Sequence, residues 1–263
     1  MVRECRGLVL DEADGYRVVS RSFDKFFNHG ERLAAPVDFG SAVVQEKLDG
    51  SLCVLYHYAG EWQVQTSGSP DAAGQVGGAG RSFAALFWEV FRALGYALPD
   101  ESARDLCFSF ELMTRHNRVV IPHPAPRLVL IGARDRSTGA ELPLPELGQR
   151  HGFPAVRTFA LDSFAALRET FVALPPLEQE GYVVVDADFR RVKVKHPGYV
   201  ALHQLKDGMG PRRVMTVVQT GEVGEVLAAF PEWEAEFTET QAAYAGLCDE
   251  LEGVYARLRD LPV

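Results

Sequence analysis

Apolar and polar residues alternate along much of this chain in the period-two pattern of half-buried strands. Gly7-Leu8-Val9-Leu10 and Tyr16-Arg17-Val18-Val19 flank Asp14-Gly15, which predicts a hairpin. Residues 42–47 and 51–58 alternate on either side of Asp49-Gly50, a pair that tolerates the positive φ of a tight turn, so a second hairpin is expected there. A Gly60 turn and Trp62-Gln63-Val64 extend it into a meander. Further strands are expected over 106–113, 127–135, 182–186 and 191–195. Phe83, Leu86, Phe87, Val90, Phe91 and Leu94 recur at helical spacing behind Ser82, which predicts a capped helix over 82–95. A helix from 162 or 163 to 174 is stopped by Pro175-Pro176, and a short one is expected from Pro197 to Leu205. Trp233, Phe237, Tyr244, Leu247, Leu251 and Tyr255 mark a long amphipathic helix within 231–260, with breaks expected near Gly246 or Gly253. Residues 66–81, rich in Gly, Ser and Ala, read as a mobile loop, and the absence of a following Gly-Lys-Ser/Thr excludes a P-loop.

Composition bounds the class. At 263 residues, 47% hydrophobic and 24% charged, the chain is long enough for one large domain with an appendage or for two small domains. No apolar run approaches the ~20 residues of a membrane span, and the first residues lack the apolar segment of a signal peptide, so a soluble, non-exported protein is expected. Cys5, Cys53, Cys107 and Cys248 are scattered, with neither zinc-finger spacing nor a disulfide framework; a reducing cytoplasm is the expected location. A net charge of −9 argues against coating nucleic acid by bulk charge, although local basic clusters stand at 115–118, 190–196 and 212–213.

Some residues call for chemistry. Glu111 sits inside the apolar run Leu106–Met113, where an ionised carboxylate without partners is costly, so it must be paired, hydrogen-bonded or engaged with a ligand. Lys193 and Lys195 share one face of a strand, which requires either an anion between them or an exposed edge protected by lysines. Lys47, in Gln45-Glu46-Lys47-Leu48-Asp49-Gly50, is either a solvated residue before a turn or a nucleophile.

The order of these features resembles the covalent nucleotidyltransferase superfamily of ATP-dependent ligases and RNA capping enzymes. Lys47-Leu48-Asp49-Gly50 is similar to its nucleophile motif; Phe108-Ser109-Phe110-Glu111, Glu180-Gly181-Tyr182-Val183-Val184 and Lys193-Val194-Lys195 follow in the same order. Glu4-Cys5-Arg6-Gly7-Leu8-Val9, Phe23-Asp24-Lys25-Phe26-Phe27-Asn28 and Tyr199-Val200-Ala201-Leu202-His203 resemble the RNA ligase branch typified by the tRNA-repair ligase of T-even bacteriophages. The resemblance implies an α+β, ATP-grasp-like nucleotidyltransferase core of two mostly antiparallel sheets flanked by helices. It further implies an adenylyltransferase domain over 1–210 with a small helical appendage over 211–263. Lys47 is implied as the nucleophile, Glu111 as the ribose contact, Glu180 as the metal ligand, and Lys193 and Lys195 as phosphate contacts acting in catalysis. Arg6, Lys25, Glu46, Asp49 and Gly50 complete the implied nucleotide site, and Ser67-Gly68-Ser69 is similar to the short motif after the nucleophile. The cations Arg6, Lys193 and Lys195 are expected to depress the pKa of Lys47.

The implied cofactors are ATP and Mg²⁺, with Mn²⁺ able to substitute, and the implied partner is RNA with 5′-phosphate and 3′-hydroxyl ends, without a membrane. The residues after Lys195 are fewer than the phage enzyme's larger helical domain requires, so its tRNA preference is not among the expectations. The competing expectations are nick sealing on duplex RNA or DNA, capping, and a non-catalytic module that binds RNA ends or nucleotides.

Overall fold

The computed structural model describes residues 3–77, 80–206, 211–221 and 223–259, and the chain divides into two compact units, 1–199 and 200–263. The expected boundary at 210 lies outside the described residues.

The first unit carries eleven described strands: β1 (Val9–Asp11), β2 (Arg17–Ser20), β3 (Phe27–Asn28), β4 (Val43–Lys47), β5 (Ser51–Tyr58), β6 (Glu61–Thr66), β7 (Leu106–Met113), β8 (Arg127–Asp135), β9 (Thr158–Phe159), β10 (Gly181–Val185) and β11 (Arg191–Lys195). β1 and β2 form the expected hairpin. A four-stranded antiparallel sheet runs β6-β5-β7-β8, and a five-stranded sheet runs β3-β11-β10-β4-β9, antiparallel except where β3 joins β11. This is an α+β fold of largely antiparallel sheets flanked by helices.

Each sheet buries one face under a helix. α1 (Phe83–Ala93) is capped by Ser82, whose hydroxyl accepts from the Ala85 amide, and it sets Leu86, Phe87, Val90 and Phe91 against Leu55, Val64, Phe108 and Phe110. α2 (Leu144–His151) flanks β8. α3 (Phe164–Thr170) places Leu167 among Val44, Tyr182, Val184, Val192 and Val194 of the other sheet. The opposite faces of the sheets are where the ionisable residues gather.

Several expectations change. β4 and β5 do not pair: β4 lies between β10 and β9, and β5 between β6 and β7, so Asp49-Gly50 is a corner between sheets and not a hairpin turn. The alternation predicts both strands, but of their partners only β6 is close in the chain, while β7, β9 and β10 lie more than fifty residues away. β11 is not an outer edge, because β3 covers part of its free side. The described part of 66–81 is built in by bridges at Thr66–Ser69 and Gln75–Ser82, with Ala72 and Val76 fully buried. α3 ends at Thr170, four residues earlier than expected.

Described helices of the remainder are α4 (Pro197–Lys206), α5 (Pro211–Thr220), α6 (Val223–Ala229) and α7 (Glu234–Arg259). α5 packs on α7, and Phe230 stacks on Trp233 at 4.4 Å. α7 runs unbroken through Gly246 and Gly253, and Leu247, Leu251 and Tyr255 are exposed along it. No described helix is long and apolar enough to cross a membrane.

Candidate active site

Three adjacent strands bring the expected residues together. Gly181 of β10 stands opposite Lys47 of β4 on one side and Lys195 of β11 on the other. Glu180, one residue earlier and buried, therefore reaches both: Lys47 Nζ donates to Glu180 Oε2 at 2.7 Å, and Lys195 Nζ lies 2.9 Å from Glu180 Oε1. Gly181 is needed at that crossing. Its φ is +147°, and a Cβ there would stand 2.2 Å from the Val194 carbonyl oxygen and 2.8 Å from Lys195 Cα.

Lys193 lies on the same face as Lys195, partly covered. Burial, then Lys47, Lys195 and Arg6, lower its pKa from 10.5 to about 8. The mutual repulsion expected of this cluster thus falls on Lys193, while Lys47 is in contact with a carboxylate. Glu111 of β7 faces the same space from the other sheet. Densely surrounded yet part-open to the cleft, it is pushed up from 4.5 to about 8, chiefly by burial and by the Glu180 and Asp49 carboxylates, against the opposing pull of Lys47 and the Gly50 amide. Below about pH 8 it carries a proton and can donate.

Asp49 is fully engaged in holding the loop that follows Lys47. Its Oδ2 accepts from the Val120 and Ile121 amides at 2.8 and 2.6 Å, and its Oδ1 accepts from the Tyr199 hydroxyl at 2.7 Å. Its carbonyl is 2.7 Å from His123 Nε2. Gly50 passes so close to β7 that a Cβ would meet the Leu112 carbonyl at 2.4 Å. Asn117, in one of the basic clusters, is a structural residue: it accepts from Thr114 and donates to the Leu112 carbonyl at 2.7 Å and to Ser51 Oγ at 3.0 Å.

Other expected residues lie outside the lysine–Glu180 contacts. Glu46 falls on the opposite face of β4 from Lys47, across from Tyr182 and 3.8 Å from Arg157, and lines one cavity together with Lys47. Lys25 lies with its ammonium 5.4 Å from the centre of the Phe27 ring, next to Phe26, whose own ring is 5.4 Å from the Lys193 ammonium. Arg6 contributes through its field on Lys193.

Two cavities border the cluster. One of about 450 Å³ is lined by Lys47, Leu48, Asp49, Met113, His123 and Arg127. The other, an apolar slot of about 250 Å³, lies between the sheets and takes Val43 and Gln45 from the Lys47 face of β4, with Ile131, Val156 and Val185. Sequence reasoning missed Gln45, Ile131, His123 and the role of Tyr199. Strand alternation from Lys47 puts Gln45 on the same face; the other three come from distant segments and carry no local signal.

The donor set admits a cation sparingly. Glu180 holds two ammoniums, Asp49 is spent on N–H and O–H donors, and no group of three or more His, Cys, Asp or Glu ligands occurs among the described residues. A Mg²⁺ ion here would take Glu180 and fill its remaining positions with phosphate oxygens and water, the usual habit of that ion in nucleotide sites.

The sequence profile of a family described as RNA ligase matches residues 4–199. The RNA ligase of Rhodothermus phage RM378 is 28% identical over 95% of this chain and 71% of its own. RNA ligase 1 of bacteriophage TS2126 is 34% identical over 55% of this chain, and the match spans 39% of that relative's length. The solved structure of an archaeal ATP-dependent RNA ligase, form 1, matches with a TM-score of 0.55 at 20% identity over 90% of this chain and 66% of that one, a likeness of fold. With the family profile covering the whole strand-bearing unit and its lysine–glutamate cluster, the chain belongs to the RNA ligase family.

Proposed function

We propose that this protein is an ATP-dependent RNA ligase that joins 5′-phosphate and 3′-hydroxyl ends through a lysyl-AMP intermediate on Lys47. The observation that carries the reading is the arrangement of Lys47, Lys193 and Lys195 on neighbouring strands around the buried Glu180 carboxylate, with Glu111 facing them. Lys47 Nζ attacks the α-phosphorus of ATP and pyrophosphate leaves. Glu180 Oε2, at 2.7 Å, is the first acceptor in reach for the proton that Lys47 must release. The AMP then passes to an oxygen of the RNA 5′-phosphate, freeing Lys47, and the 3′-hydroxyl displaces AMP to form the phosphodiester.

Lys193 and Lys195 stabilise charge on phosphate oxygens in each step, and the protonated Glu111 is suited to hydrogen-bond a ribose hydroxyl. The apolar slot between the sheets is the place for the base. A Mg²⁺ ion bound at Glu180 would supply further neutralisation of phosphate charge.

Incubation with ATP labelled at the α-phosphate should leave label on the wild-type chain and none on Lys47→Ala. Label surviving in the variant, or transfer from GTP alone, overturns the reading. Single-stranded RNA, nicked RNA and nicked DNA offered in parallel test the substrate, and predominant sealing of nicked DNA rejects RNA.

A further inference from the structure

Beyond the Lys47–Glu180 cluster, at the Arg191 end of the β11 cation row, lies a cavity of about 330 Å³. Its walls include Arg3, Lys25, Phe26, Arg134, Phe189 and Arg190. Most of its cations are already held. Arg134 pairs with Asp24 at 2.7 Å, Arg190 with Asp186 at 2.8 Å and Asp188 at 3.1 Å, and Arg191 with Glu141 through two bonds of 2.6 and 2.7 Å. Arg3 differs. It is exposed, donates to the Leu33 carbonyl at 2.9 Å, and has no carboxylate within ion-pair distance among the described residues. Its guanidinium and the Lys25 ammonium each lie 5.4 Å from the centre of the Phe27 ring.

Cations outnumber carboxylates in this cavity although the whole chain carries −9, so it is a local attractor for an anion. Phe26, part of its wall, has its ring 5.4 Å from the Lys193 ammonium and 5.9 Å from the Arg191 guanidinium, so the cavity adjoins the cation row of β11, and Lys47 is not among its walls. Phe189 adopts φ +58°, a conformation that bulky residues avoid, and it forms part of the walls of both this cavity and the apolar slot.

We propose that this cavity is a subsite for a backbone phosphate of the RNA strand, internal to the reacting end, with Arg3 as its principal cation and Phe189 as a stacking wall for the adjoining base. The proposal rests on the ligase reading of the Lys47 site. A basic groove with an aromatic face is the combination that holds single strands without regard to sequence. The same chemistry would accept the phosphate tail of ATP, and the test separates the two sources.

Fluorescently labelled, 5′-phosphorylated single-stranded RNA is titrated with the wild type, Arg3→Glu and Asp188→Asn over a range of salt, and Lys47 labelling by ATP is measured without RNA. Arg3→Glu should weaken RNA binding about tenfold, alike for different sequences, and lower the salt slope by about one. Asp188→Asn removes an exposed carboxylate beside Arg190 and should tighten binding. Both variants should label from ATP with unchanged rate and KM. RNA affinity and slope unmoved in both variants overturn the proposal. So does a raised KM for ATP in Arg3→Glu with RNA binding intact, which assigns the cavity to the ATP tail. Failure of the wild type to label at all strikes the ligase reading instead, leaving the RNA titration to judge the cavity by itself.

Discussion

Lys193 and Glu111 are shifted in opposite directions, and both change charge near pH 8. A phosphate-holding Lys193 is active while charged, so the rate of Lys47 labelling should decline above about pH 8 and the decline should move to higher pH in Lys193→Arg, because a guanidinium stays charged. An alkaline limb unmoved in that variant would contradict the role. The same shifts make a stability prediction. Between pH 4.5 and about 8 the unfolded chain has lost the Glu111 proton and the folded one keeps it, so this residue's stabilisation is lost as pH rises through about 8. Lys193 works the other way: the folded chain releases its proton above about 8 and the unfolded chain holds it to 10.5, so its stabilisation is present at high pH and lost as pH falls through about 8. Urea midpoints of Glu111→Gln should therefore fall less steeply from pH 4.5 to 8 than those of the wild type. Tyr199→Phe removes the one hydroxyl on Asp49 Oδ1, and a hydrogen bond to a carboxylate is worth ~1.5–3 kcal/mol; a loss of that size in urea unfolding, with slower Lys47 labelling, is expected.

At the scale of elements, the site depends on glycines where strands and loops touch. A methyl at Gly181 collides with the Val194 carbonyl in the β10–β11 ladder, and one at Gly50 collides with the Leu112 carbonyl of β7. Overpacking and backbone strain together make Gly181→Ala cost about 3 kcal/mol or more. Its melting temperature should fall well below that of Gly68→Ala, whose added Cβ meets nothing within 4 Å. Equal melting of the two would show that β10 and β11 can part without loss. Periodicity made β7, β8, β10, β11 and α1 legible, because each has an apolar face long enough to count. It missed α2, whose mean character is polar, and the two-residue β3 and β9, which exist only because a neighbouring strand leaves an edge open.

At the scale of the strand-bearing unit, the two sheets are tied together by Arg191 of β11 and Glu141, which follows β8; the pair is buried and bidentate. Removing one partner strands the other charge, a loss of about 3–5 kcal/mol, so Glu141→Leu should lower the melting temperature by roughly 10 °C. Arg191→Met combined with Glu141→Leu should recover most of that loss, since two apolar groups leave no charge unpaired. A double variant as unstable as the single one would mean that the pair acts through packing alone.

Glu111, Lys193 and Lys195 stand out from sequence because a carboxylate in an apolar strand and two lysines on one face demand an explanation wherever they fold, whereas Lys47 and Glu180 are singled out only by the resemblance to the nucleotidyltransferase motifs. Local pattern could not say that Asp49-Gly50 joins two different sheets, since the hydrogen bonds that decide it come from β10, β9, β6 and β7. Nor could it show that Glu180 bridges Lys47 and Lys195, or that Tyr199 and the 120–121 amides hold Asp49. The residues and their alternation belong to the sequence; their partners were decided by the tertiary structure, because contacts between segments far apart in the chain set which charges share a cleft.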